Sequence, residues 1–181
     1  MLSWLIGRKI DAFEEEYAYD MGYARELLGT SLRAMLLFHK ATGLGEFREG
    51  LPKDAWYAAR LVAMRAEDCG PCTQLIATMA ERDGLASEMI EAVLSGRMDA
   101  LPDDVRLSVE FTKAVLARDP GADVLRLRVI ERFGRSGLVS LAFAMLSSRL
   151  YPTVKYALGY GHACSVVHVG GSPVLTPREA H

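Results

Sequence analysis

Cysteine is scarce in this 181-residue chain: three residues are too few to staple a disulfide scaffold. An excess of charge is missing as well. With 21 basic against 23 acidic residues, a net charge of -2 and a pI near 6.1, nothing marks a surface for nucleic acid or anionic lipid. No apolar run reaches the roughly 18 residues that span a bilayer. The start, Met1 to Lys9, is too short for a signal h-region and lacks both a basic lead and a small-residue cleavage site, so the expectation is a cytoplasmic protein. Also absent are a fixed-period repeat, a low-complexity tract and, before the last fifteen residues, any run of alternating apolar and polar residues. These absences argue against nucleic-acid, membrane and disulfide-stapled classes and leave small molecules or proteins as partners.

Apolar content is 50%, enough for the core of a single domain over residues 1–181, and apolar residues recur at helical spacing almost throughout. The spacing predicts an all-α fold. Ser3 caps a first helix through Ile10, Phe13 and Tyr17, and a second runs from Leu27 to Phe38, making an N-terminal pair over residues 1–43. After a loop to Pro52, a third helix carries Trp56, Ala59, Ala63 and Ala66, and a fourth begins around Cys72 and ends at Asp83-Gly84. A short fifth closes at Gly96, and a sixth from Pro102 is broken at Asp119-Pro120-Gly121. Two more are expected over residues 122–133 and 138–158, with Tyr151-Pro152 kinking or dividing the latter. Residues 44–160 form the helical core. The tail, 161–181, is expected to be irregular or a terminal arm, with one β-prone run at Ser165 to Val169.

The chemistry concentrates at Glu67-Asp68-Cys69-Gly70-Pro71-Cys72. Two cysteines at this spacing pass between dithiol and disulfide without moving the backbone. At a helix N-terminus, unpaired amides and the positive end of the dipole favour a thiolate over a thiol. Glu67 and Asp68 act the other way if their carboxylates lie close, and such a carboxylate can serve as a proton acceptor. Zinc is an alternative, because His162-x-Cys164-x-x-x-His168 offers further soft and imidazole donors. So is a pair of buried structural thiols. For Cys164 itself the plain reading is a structural thiol.

The tetrapeptide Cys69-Gly70-Pro71-Cys72 is identical to the thioredoxin active-site sequence, but that fold places it after a central strand, and the segments that follow here read as helices. More of the chain resembles the carboxymuconolactone decarboxylase and alkylhydroperoxidase D-like superfamily. The likeness spans roughly Leu44 to Tyr160: Leu51-Pro52 opening a helix, the C-x-x-C, Gly84-Leu85, a short acidic helix closed by Gly96, Phe111-Thr112 to Gly121, and Gly137 to Ala142. The resemblance implies a compact multi-helix fold and an antioxidant peroxidase in which Cys72 attacks the peroxide and Cys69 resolves it. It also implies a thioredoxin-like or lipoyl-bearing reductant and assembly into a homo-oligomer; for the redox reading, no cofactor or metal is expected.

Two positions depart from that pattern. The superfamily's peroxidases carry a histidine four residues after the second cysteine, here Ile76, and a glutamate twelve before the first, here Tyr57. A glutamate, histidine and thiolate relay cannot be built from them. Candidates to replace it are Glu67, the nearest carboxylate, then the Tyr57 phenol and His39. The expectation is a thiol oxidoreductase, reducing a peroxide or a disulfide, with a non-catalytic assembly protein of the same fold or a zinc-binding protein as alternatives.

Overall fold

The computed structural model describes residues 2–161 and 166–175. Among them are eight α-helices: α1 (Leu2–Tyr17), α2 (Gly22–Thr30), α3 (Leu32–Thr42), α4 (Lys53–Ala66), α5 (Gly70–Arg82), α6 (Ser87–Ser95), α7 (Asp103–Ala117) and α8 (Ala122–Ala157). Short 3-10 turns at Gly43–Glu46 and Met98–Ala100 join them, and a two-stranded hairpin, β1 (Val166–Val169) and β2 (Ser172–Leu175), follows. The fold is all-α, as the apolar spacing predicts.

Three boundaries differ from the sequence reading. The single second helix is two, α2 and α3, because Ser31 is extended (φ -162°, ψ 120°) and its Oγ accepts from the Ala34 amide at 3.3 Å. A serine that competes for backbone donors favours such a cap over a helix interior. The break at Gly134, whose φ of 72° and ψ of 179° suit only glycine, falls between the two helices expected over residues 122–133 and 138–158. Pro152, by contrast, lies buried inside α8 without ending it.

The tail is the third correction, since residues 166–175 are not irregular. Gly170 and Gly171 both have positive φ (57° and 79°), the pattern of a tight two-residue hairpin loop, with Val169 paired to Ser172 across it. Val167, Val169 and Val174 turn into the core while His168 faces out. Gln74 on α5 stands in for a third strand: its Oε1 accepts from the His168 amide at 2.7 Å and its Nε2 donates to the His168 carbonyl at 2.9 Å. Glu81, two turns further along the same face of α5, accepts from the Gly170 amide at 2.6 Å. The hairpin is thereby seated on α5.

Two apolar cores meet at α4. Ala55, Ala59 and Ala63, spaced four apart on one face, let α7 and α8 approach closely around Leu107, Phe111, Val129, Phe133 and Leu141. Leu61, Met64 and the α5 residues Cys72, Ile76 and Ala80 belong to the other core, which also takes Ile10, Tyr19, Tyr23 and Ala24 from the N-terminal segment. The N-terminal helices therefore cover the face of α4 and α5 that carries the cysteines.

Candidate functional site

Cys69 and Cys72 are joined as a disulfide across the opening turn of α5, with Cα atoms 5.3 Å apart. Cys69 is the N-cap residue and Cys72 the third helical residue, with Pro71 between them at a position where a missing amide costs little. The Cys69 carbonyl accepts from the Thr73 amide at 2.9 Å and from the Thr73 hydroxyl at 3.0 Å, which fixes the cap. Both cysteines are buried, at 1% exposure.

The turn that delivers them is held by the end of α8. Asp68 has a left-handed backbone (φ 51°), a conformation that aspartate adopts more readily than most residues, and its carbonyl accepts from the Tyr156 hydroxyl at 2.8 Å. Glu67 ends α4, and its carboxylate pairs with Arg149. No hydrogen bond joins Glu67 to either sulfur among the described residues. Tyr57 is not brought to the cysteines either: its hydroxyl donates to Asp83 Oδ2 at 2.9 Å, at the opposite end of α5. Burial and the Asp83 bond push its phenol up to about 12. Eleven residues of helix separate Asp83 from Cys72, about 16 Å at 1.5 Å per residue. Ile76 is buried one turn below Cys72, where the resemblance would place a histidine. His162 and Cys164 lie outside the described residues, and His168 is exposed on β1.

What does reach the sulfur is a pair that sequence reading missed. The Tyr19 hydroxyl lies 3.5 Å from Cys72 Sγ, and Lys155 Nζ donates to the same hydroxyl at 3.3 Å. In the disulfide state the sulfur has no proton, so Tyr19 donates to it. Lys155 is 1% exposed, with its ammonium 4.4 Å from the centre of the Tyr19 ring and 5.5 Å from that of Tyr23. Burial holds the Lys155 pKa below the ordinary lysine value, with Asp20 partly opposing the shift. Burial likewise pushes the phenols of Tyr19 and Tyr23 far above their ordinary range. Lysine, tyrosine and sulfur thus form a buried hydrogen-bonded chain, Lys155 donating to Tyr19 and Tyr19 to Cys72 Sγ.

Cys72 also opens onto a cavity of about 480 Å³ between the N-terminal helices and α4 and α5. Ile6, Ile10 and Phe13 of α1, Met35 and Phe38 of α3, and Met64 and Ile76 make most of its wall apolar. Tyr19 and Tyr23 line it beside the sulfur, and the exposed Lys9, Leu36 and His39 stand at its rim. Arg60 lines it too. Cys69 is not part of the wall, so the two sulfurs are inequivalent: one faces the cavity and one the helix cap.

Lys155 carried a signal, being the sole charged residue between Arg149 and Gly159 in the stretch Leu150 to Leu158. A lone lysine on an apolar helix face is either solvated or buried for a reason. Tyr19 carried none. It reaches inward because Ala18 adopts a left-handed backbone (φ 49°) just after α1, which periodicity does not encode. Compared with models of protein families, with curated proteins and with solved structures, the chain has no match in any of the three.

Proposed function

We propose that this chain is a thiol oxidoreductase whose Cys69 and Cys72 cycle between dithiol and disulfide while reducing a peroxide or a disulfide. The observation that carries the reading is the inequivalence of the two sulfurs: Cys72 faces both the cavity and the Tyr19 hydroxyl, whereas Cys69 lies behind it at the N-cap of α5. With a peroxide, the Cys72 thiolate attacks one oxygen, the O–O bond breaks, and the departing oxygen takes a proton and leaves as alcohol or water. Cys72 becomes a sulfenic acid. The Cys69 thiolate then attacks that sulfur, water leaves, and the disulfide forms; two electrons have passed from the dithiol to the peroxide. An external dithiol, of thioredoxin-like or lipoyl type, returns the pair to the reduced state.

In place of the glutamate and histidine that the superfamily's pattern would supply at Tyr57 and Ile76, Tyr19 is the nearest proton donor for the departing oxygen and Lys155 the group that backs it. The resemblance to the alkylhydroperoxidase-like superfamily belongs to the proposal, together with a cytoplasmic setting and assembly into a homo-oligomer. Among the described residues no helix is long and apolar enough to cross a membrane. Exposed Val124, Leu127, Val139 and Leu146 give α8 an apolar outer side suited to self-association.

Burial of both sulfurs favours one other reading, a non-catalytic assembly protein with a structural bridge. A redox titration separates the two. Catalysis predicts a couple between roughly -270 and -200 mV, the thioredoxin to glutaredoxin range, and native-state alkylation of the reduced protein at Cys72 before Cys69. A couple well below -300 mV, or thiols inert to alkylation, assigns a structural bridge. Elemental analysis closes the zinc alternative, since stoichiometric zinc on purified reduced protein would overturn the redox assignment.

A further inference from the structure

We propose that the cavity beside Cys72 binds an amphipathic organic acid, an apolar chain bearing a single carboxylate that Arg60 receives, and that a hydroperoxide of this class is the oxidant. The inference rests on the thiol-oxidoreductase reading and names its substrate. The wall supplies the apolar half of the match. A cavity of about 480 Å³ is of the size that holds small organic ligands, and Met35, Met64 and Met79 give it side chains that adapt to a flexible chain.

Arg60 supplies the polar half. Several other arginines find carboxylates: Arg25 with Asp11, Arg82 with Glu16, Arg132 with Asp104, Arg149 with Glu67. Arg60 pairs with no carboxylate of the described residues, and its Nε is buried without an acceptor. Its guanidinium lies 4.4 Å from the centre of the Trp56 ring, and the Trp56 Nε1 is a second buried donor with no acceptor. Burial of part of the guanidinium lowers the Arg60 pKa, because desolvation disfavours the charged form. A planar fork of donors beside an apolar chamber fits a carboxylate bidentately. A single guanidinium within a mostly apolar wall suits a monoanion rather than a phosphate or a dicarboxylate. The exposed Lys9 at the rim favours entry of an anion.

The experiment titrates the whole oxidised protein with oleate, held below its micellar concentration, and with methyl oleate, following calorimetry and tryptophan fluorescence. Saturable one-to-one binding of oleate is expected, with the ester at least about tenfold weaker, and Arg60→Met should abolish the preference for the acid. Absence of saturable oleate binding, an ester as tight as the acid, or an acid preference kept in Arg60→Met would each overturn the assignment. If Arg60→Met does not fold, the acid and ester on the parent protein decide alone. Hydrogen peroxide turnover with dithiothreitol distinguishes the two levels of the argument. Turnover through Cys69 and Cys72 with no oleate binding leaves the oxidoreductase and removes the ligand; acid-selective binding without thiol turnover does the reverse.

Discussion

The two faces of α4 are built on opposite principles. Toward α7 and α8 the helix presents Ala55, Ala59 and Ala63, all 0% exposed, and the Ser108 hydroxyl donates to the Ala55 carbonyl at 2.6 Å, while the buried Thr112 hydroxyl one turn further along α7 has no partner among the described residues. Toward α5 and the N-terminal helices it presents Arg60 and Met64, a cavity, and a donor at Arg60 Nε that finds no acceptor. Small side chains and close packing make the first face a scaffold. Open volume, buried cations and a sulfur pair make the second a place where stability has been given up for something else.

The strongest test of that division is chemical. Cys72→Ser should reduce peroxide or disulfide turnover to background, and Cys69→Ser should leave a sulfenate or mixed disulfide trapped on Cys72, detectable by mass after brief peroxide exposure. If both variants consume hydroperoxide as fast as the parent with dithiol present, the cavity face is not a chemical face.

Packing gives the next largest effect. Ala59→Leu forces three extra carbons between α4, α7 and α8 and should cost about 1–3 kcal/mol, lowering Tm by about 2–12 °C for a chain of this size. Ala24, equally buried at 0% exposed, lines the cavity. Ala24→Leu has room to expand and should cost less than about 1 kcal/mol, within the range of a tolerated substitution. Equal losses of Tm in the two variants would erase the contrast between the faces.

Lys155→Met probes the cavity side electrostatically. Burial holds the Lys155 pKa below 10.5 in the folded protein, so between that lowered value and 10.5 the unfolded chain binds more protons. Stability conferred at this site is therefore least at low pH, where Lys155 is charged in both states, and rises with pH through the window. Urea unfolding from pH 7 to pH 10 should show a gap between Lys155→Met and the parent that moves in the parent's favour as pH rises. Above pH 10 the raised pKa values of Tyr19 and Tyr23 act with the opposite sign. A gap that does not change with pH would mean that Lys155 is not titrating from its buried site. The same variant should slow alkylation of reduced Cys72, whereas a purely structural lysine would leave that rate alone.

Helix existence was legible because burial of one face leaves a period in the sequence: α1, α4, α6 and α7 fall where apolar spacing and the Pro52, Gly96 and Pro102 boundaries put them. The C-x-x-C at a helix opening was legible for the same reason. What was not legible depends on single backbone turns and on distance in sequence. Ser31 divides a helix that looks continuous, and Ala18 turns Tyr19 toward a sulfur 53 residues away. Lys155 reaches Tyr19 across 136 residues. Glu67 and Tyr57 looked eligible by proximity and by alignment to the superfamily's pattern. The fold gives the first to Arg149 and the second to Asp83, because each finds a closer partner on a neighbouring helix than the cysteines offer.

Tyr57→Phe carries the smallest expected effect and tests the edge of the site. The variant removes a hydrogen bond to a charged acceptor, Asp83, and should cost about 1–2 kcal/mol. Because the folded pKa is raised from 10.0 to about 12, this contribution is complete below pH 10 and fades as pH climbs through about 12. Ultraviolet titration should lose one tyrosinate step near pH 12. Thiol turnover should stay at the parent's rate, since the phenol sits at the far end of α5 from Cys72. A drop of about tenfold or more, equivalent to 1.4 kcal/mol of barrier, with the fold intact would bring Tyr57 back into the chemistry. The site would then extend along the whole length of α5 rather than ending at the Tyr19 and Lys155 pair.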